Sequence, residues 1–184
     1  VALLKIARLG HPVIRKGAES VGREELRNRE IQRFIDDMID TMRDADGVGI
    51  AAPQVHVAKE IVVIEVTASN PRYSDQKPIP LKVIVNPRVT ANSNEFEEGW
   101  EGCLSVPDLR GRVPRWVSLE VTGWDRHGND IRIRASGFYA RVIQHEVDHL
   151  NGVVFLDRLP DLSSLTHLRE YQRYWLESEI NSEA

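Results

Sequence analysis

Gln144-His145-Glu146-Val147-Asp148-His149-Leu150 lies within residues 137–150, a segment that reads as one helix stopping near Asn151-Gly152. Four helical residues turn through about 400°, so His145 and His149 leave the same face and can share one ion. Glu146 is rotated by about 100° from His145. That offset keeps its carboxylate out of direct bonding position while letting it reach a water at the open coordination position, where a general base belongs. Two histidines leave such a centre incomplete, because a catalytic metal usually takes three protein ligands and one exchangeable position.

A third ligand downstream would make a zinc protease. The metzincin pattern HExxHxxGxxH is followed as far as Gly152, but Phe155 stands where the last histidine belongs, and phenylalanine binds no metal. A thermolysin-like site is completed by a later Glu, and Glu170 lies at a suitable distance on a second helix. Its surroundings, Leu168-Arg169-Glu170-Tyr171-Gln172-Arg173, read more simply as the solvated face of an amphipathic helix. Upstream stands the chain's one cysteine, Cys103, in Glu101-Gly102-Cys103-Leu104-Ser105. Judged alone it would be a small buried hydrophobe. Beside a two-histidine helix that lacks a ligand, a soft thiolate is the stronger candidate.

The rest of the chain supplies a scaffold. Residues 24–45 carry Leu26, Ile31, Phe34, Ile35, Met38, Ile39 and Met42, spaced by threes and fours after Ile31, and read as one amphipathic helix. It ends at Asp46-Gly47, where glycine is expected to take the left-handed conformation. Residues 60–66 and 82–86 are rich in β-branched side chains and read as strands. Residues 117–124 and 130–135 flank Asp125-Arg126-His127-Gly128-Asn129 and form a hairpin. A final helix is expected over about residues 163–179, with Leu165, Leu168, Tyr171, Trp175 and Leu176 on one side. Ser69 to Pro80, with three prolines, is expected to be a mobile loop. The expected fold is α+β: antiparallel β-sheets around a central HExxH helix, with an N-terminal and a C-terminal helix, in a single domain over residues 1–184.

Composition narrows the function classes. With 184 residues and 41 % hydrophobic content, the chain can bury one proper core but is short for two. A formal charge of -4 gives no global attraction for nucleic acid, and no direct nucleic-acid substrate is expected. One cysteine cannot form an internal disulfide, which fits a reducing compartment. No apolar run is long enough for a membrane span and no signal-peptide core is present. A chain starting at Val1 leaves room for an upstream Met, transit peptide or tag.

Three segments resemble, in order and spacing, the three motifs of the peptide deformylases: Gly47-Val48-Gly49-Ile50-Ala51-Ala52-Pro53-Gln54, then Glu101-Gly102-Cys103-Leu104-Ser105, then Gln144 to Leu150. The resemblance runs from about residue 9 to residue 159. It implies hydrolysis of the N-terminal formyl group from formyl-methionyl nascent peptides, with release of formate. It implies one divalent metal on Cys103, His145 and His149, with Fe²⁺ as the physiological ion, and the sulfur-nitrogen set also suits Zn²⁺, Ni²⁺ or Co²⁺. Glu146 would carry the proton from water to the leaving amine. Gln54 and the Leu104 N–H stand where the family places its oxyanion donors.

By the same resemblance, backbone around Val48 and Gly49, with Gly102 opposite, would pair with the substrate as an added strand. Phe138 and Val142 lie near the His145 face of the helix and would line a methionine pocket with Val48, unless they are core residues. Arg141 departs from many bacterial deformylases, which are apolar there, and matches the organellar-like branch, so it would narrow or charge the pocket rim. Glu101 and Arg115 resemble an ion pair bracing the Cys103 segment. Asp148 is expected at the surface or supporting the ligands. His11, His56, His127 and His167 lack paired spacing and are assigned no metal. The implied partner is a formyl-Met nascent chain with transient proximity to the ribosome, the protein being monomer or dimer. The location is a bacterial cytoplasm, or an organelle if a transit peptide has been removed. A zinc endopeptidase using Glu170, and a binding module without turnover, remain the alternatives.

Overall fold

The computed structural model describes residues 2–68, 70, 76–92 and 94–176. In chain order its elements are α1 (Arg23–Leu26), α2 (Arg29–Asp44), β1 (Gly49–Ala51), β2 (Ile61–Val66), β3 (Ile79–Ala91), β4 (Phe96–Cys103), β5 (Val106–Trp116), β6 (Ser118–Trp124), β7 (Asp130–Ser136), α3 (Gly137–Leu150), β8 (Thr166–His167) and α4 (Leu168–Tyr174). The strands form an antiparallel five-stranded sheet in the order β1-β2-β3-β6-β7 and a three-stranded sheet in the order β4-β5-β8.

Strand β2 shows why the layers stack as they do. Side chains alternate across a strand, yet Ile61, Val62, Val63 and Ile64 are all buried. Ile61 and Val63 pack with Ile35, Met38, Ile39 and Met42 of α2. Val62 and Ile64 pack with Ala140, Val142, Ile143 and Leu150 of α3. An unbroken apolar run is what a strand covered on both faces requires. Helix α3 touches strands of both sheets and is the central helix of the expected α+β fold.

The N-terminal helix is interrupted. In place of one helix over 24–45, a single turn ends at Leu26, and Asn28 starts α2 by accepting a hydrogen bond from the Glu30 N–H at 3.0 Å. At the other end Asp46, with φ 52°, takes the left-handed conformation that had been expected of Gly47. The Asp46 and Gly47 N–H groups then bond Arg43 O at 3.1 Å and Met42 O at 2.9 Å, closing the helix as a Schellman motif does. Gly47 is small for another reason: a Cβ there would stand 3.0 Å from the Leu104 side chain.

The hairpin of residues 117–135 is present as β6 and β7, with Leu119 opposite Ala135. Strands β4 and β5 were not foreseen, because Phe96–Cys103 is mostly Glu and Gly and β5 contains Pro107 and Pro114. Their connection carries the cysteine motif. Cys103 pairs with Val106 across the two-residue link Leu104-Ser105, whereas Glu101 pairs with Gly111, so Pro107–Arg110 bulge outward and Asp108 adopts φ 61°. The last helix starts at Leu168, five residues later than expected, because Thr166–His167 pair with β5. It buries no residue, and residues 177–179 of the expected helix lie outside the described residues. So do residues 69 and 71–75 of the expected loop, while Ile79-Pro80 begin β3.

Candidate active site

The β4–β5 link sets Cys103 against helix α3. One ligand atom each from Cys103, His145 and His149 lie within 4.8 Å of one another, and all three residues are buried. Cys103 Sγ is 3.2 Å from His149 Nε2. Burial alone would raise the Cys103 thiol pKa, but the neighbouring histidines, His149 first, hold it well below its ordinary value. His145 is correspondingly raised well above its ordinary value: burial opposes the charge, and the Cys103 sulfur and Glu101 carboxylate outweigh it. His145 Nδ1 is engaged by Glu101 Oε2 at 2.9 Å, which leaves Nε2 to face the cluster. This donor set, sulfur with two imidazole nitrogens and an oriented imidazole, fits a tetrahedral divalent ion with an open position.

The cluster stands on a buried lattice of charges. Arg115 donates to both oxygens of Glu101, at 2.8 and 2.9 Å, and to Asp148 Oδ2 at 2.6 Å. Arg158 caps the chain, reaching Asp148 at 2.7 and 3.1 Å. Burial would raise the Glu101 pKa, yet Arg115 and His145 hold it well below the usual carboxylate range. Asp148 is thus no surface group; it is buried and supports Arg115. Phe155, standing where a metzincin would place its third histidine, is buried with its ring 6.4 Å from that of His145 and tilted by only 20°.

In front of the cluster is a cleft of about 470 Å³ counted to its mouth. Of the residues singled out above for metal, catalysis and substrate, the cleft is lined by Val48, Gly49, Gln54, Gly102, Cys103, Leu104, Phe138, Arg141, Val142, His145 and Glu146. His149 lies just behind, 1 % exposed. Glu146 is buried and its Oε2 has no hydrogen-bond partner, as does His149 Nδ1. Burial pushes the Glu146 carboxyl up to about 7, partly offset by His145 and His149. Gln54 is oriented by its neighbours: the Ala51 N–H donates to Oε1 at 2.8 Å, so Nε2 must face the cluster. There it donates to Ser105 Oγ at 3.3 Å and to Cys103 Sγ at 3.5 Å. A Cβ on Gly49 would collide with the Glu146 carboxylate, and one on Gly102 with the Arg110 guanidinium.

Besides Gly47 of the first motif, two other residues line the cleft that were not foreseen as part of it. Glu101 was expected only as a brace, and Trp100 had no assigned role. Trp100 packs on Tyr171 and Trp175, at 5.0 and 5.7 Å between ring centres, so α4 backs the cleft wall. An aromatic residue between Gly99 and the cysteine motif was the available signal. Glu170 is exposed, 3.9 Å from Arg173, and has no place in the metal-capable group, so the endopeptidase alternative loses its ligand. His127 sits in the turn after β6, its N–H held by Asp125 at 2.8 Å, and His11 packs edge-on against His56.

A sequence model described as Polypeptide deformylase matches residues 3–164. Peptide deformylase 2 of Nostoc sp. (strain PCC 7120 / SAG 25.82 / UTEX 2576) is 43 % identical over 171 residues, covering 92 % of this chain and 93 % of the relative. The chloroplastic peptide deformylase 1A of Solanum lycopersicum is 39 % identical over 166 residues, 86 % of this chain and 60 % of the relative. Among solved structures, the Met-Ala-Ser-bound class I type b peptide deformylase from Acinetobacter baumannii aligns with a TM-score of 0.82 at 39 % identity, covering 86 % of this chain and 99 % of that one. With sequence, fold and a Cys-His-His cluster in agreement, the chain belongs to the polypeptide deformylase family, hydrolases that use a single metal ion to remove the formyl group from N-formyl-methionine peptides.

Proposed function

We propose that this cleft performs the deformylation, with Cys103, His145 and His149 holding one Fe²⁺ and Glu146 as its general base. The observation that carries the assignment of Glu146 is a buried carboxyl near pKa 7 with one oxygen left unpartnered beside the ligand cluster. When bound, the ion supplies Lewis acidity, polarising the formyl carbonyl and lowering the pKa of water, for zinc from about 15.7 to about 7. A thiolate donor softens that acidity, so more of the proton transfer falls to Glu146. The Glu146 carboxylate takes the proton of the attacking water and delivers it to the departing amine, leaving formate and a free methionine N-terminus.

Gln54 Nε2, turned to the cluster by the Ala51 N–H on its Oε1, would donate to the oxygen that gains negative charge, with the Leu104 N–H as the second donor. Among the described residues strand β1 stands at the edge of its sheet, with β2 beside it, which supports an extended peptide pairing along Val48 and Gly49. Phe138, Val142 and Val48 supply apolar wall for the methionine side chain. Bacterial and chloroplastic relatives fit a bacterial cytoplasm or an organelle, and a formyl-Met nascent chain as substrate implies work close to the ribosome.

Purified anaerobically with Fe²⁺, the protein is expected to release formate rapidly from a formyl-Met tripeptide and not from its acetyl analogue. No formate from fully metallated protein would sink the proposal and favour a binding module.

A further inference from the structure

Arg141 brings a charge to the cleft, and the partners of its guanidinium explain how the cleft tolerates it. Nη1 donates to Val113 O at 2.7 Å, Glu101 Oε1 at 3.0 Å and Gly99 O at 3.3 Å, and Nη2 donates to Glu97 O at 2.8 Å. The side chain is 11 % exposed. With both Nη1 hydrogens and one of Nη2 turned to acceptors on β4 and β5, the charged head is held to the strands at the wall of the cleft that Arg141 lines.

Gly99 makes this possible. It sits inside β4 opposite Val113, where glycine weakens a strand, and its φ is not in the left-handed range that would demand glycine. A Cβ at Gly99 would stand 2.8 Å from Cζ and Nη2 of Arg141 and 3.0 Å from Nε. A guanidinium held by four acceptors cannot swing aside as a free side-chain end would. Any side chain at position 99 therefore expels the head of Arg141 from its seat.

We propose that Gly99 and Arg141 act as one selectivity unit: the glycine vacates the space, the guanidinium fills it, and the strand carbonyls fix the wall against which the first side chain of the peptide is measured. Arg141 is on this account a wall held in place by backbone, not a cation that binds substrate charge. The inference rests on the reading of the cleft as the formyl-peptide site.

The test compares kcat/KM for formyl-Met-Ala-Ser and formyl-Ala-Ala-Ser, the second having almost no side chain to meet the wall. Anaerobic Fe²⁺-loaded protein is assayed unsubstituted and as Gly99→Ala, Arg141→Ala, the double variant and Arg141→Lys, with bound iron and circular dichroism recorded for each. Each single alanine variant is expected to reduce the preference for formyl-Met by about tenfold, the scale of one or two misplaced methylenes in an apolar pocket. The double variant should fall no further, since both changes remove the same wall. Arg141→Lys, lacking the planar fork, should restore only part of the preference. Bound iron should stay at the unsubstituted level, because Arg115 still holds Glu101 behind His145.

Equal slowing of both peptides, multiplying losses in the double variant, or lost iron in Gly99→Ala would each overturn the proposal, the last by assigning the pair to support of His145. No formate from either peptide with the unsubstituted protein is a different failure, which overturns the reading of the cleft and this inference with it.

Discussion

At Glu146 the physical chemistry of one side chain decides between a base and a bystander. Burial raises its carboxyl to about 7 and one oxygen has no partner, a state that costs stability and supports the proposed role as general base. Glu146→Gln is expected to keep its metal, measured by elemental analysis, while formate release falls by about 10²- to 10⁴-fold, the usual contribution of general acid–base catalysis. Gln54→Ala should lower kcat by about 10²- to 10³-fold with unchanged metal content, the loss of one oxyanion donor. The two residues differed in legibility. His145, Glu146 and His149 follow from helical period alone, whereas Gln54 is oriented by the Ala51 N–H in a short turn whose geometry no local pattern announces. Arg158 was invisible because its partner, Asp148, is met only once the chain after α3 folds back.

Elements with strong periodicity were readable from the sequence, and elements that depend on tertiary pairing were not. Helix α3 has the expected limits, and β2 was recognisable by its β-branched run. Strands β4 and β5 went unseen because their pairing with each other overrides the weak propensity of Glu, Gly and Pro. The break between α1 and α2 falls in the five-residue gap from Leu26 to Ile31, where the Asn28 side chain caps the start of α2. The placement of β1 against α3 carries a prediction of its own. Gly49→Ala drives a methyl group into the Glu146 carboxylate, so formate release should collapse while the urea midpoint of unfolding moves little. A cooperative loss of both would show that the strand, and not the carboxylate, gives way.

Across the whole molecule, the charge lattice behind the histidines makes stability depend on pH. Glu101 is held below its ordinary value of 4.5, so between that value and its lower folded one the unfolded chain binds more protons than the folded one. Its contribution is complete above about pH 4.5 and declines as the pH falls further. Urea unfolding of metal-free protein from about pH 5.5 to about pH 3.5 should show that decline, and Glu101→Gln should flatten it. Metal should stabilise the same fold through binding to the native state alone. A chelator is expected to lower Tm, in line with about 3 to 4 kcal/mol lost from a site loaded at 100 to 1,000 times its Kd. Cys103→Ser should start near the lower Tm and respond weakly; an undiminished response would exclude the sulfur as a ligand.

Strand β2, covered by α2 on one side and α3 on the other, has a consequence for how a peptide would be received. Its amide hydrogens should be among the slowest in the protein to exchange with deuterium, since they open only when both layers part. Strand β1 is paired to it, so a peptide pairing along β1 as proposed would meet a rail held by that protected strand. The loss of freedom on docking then falls on the peptide rather than on the enzyme, and short stiff ligands should gain more affinity than long flexible ones of equal contact area.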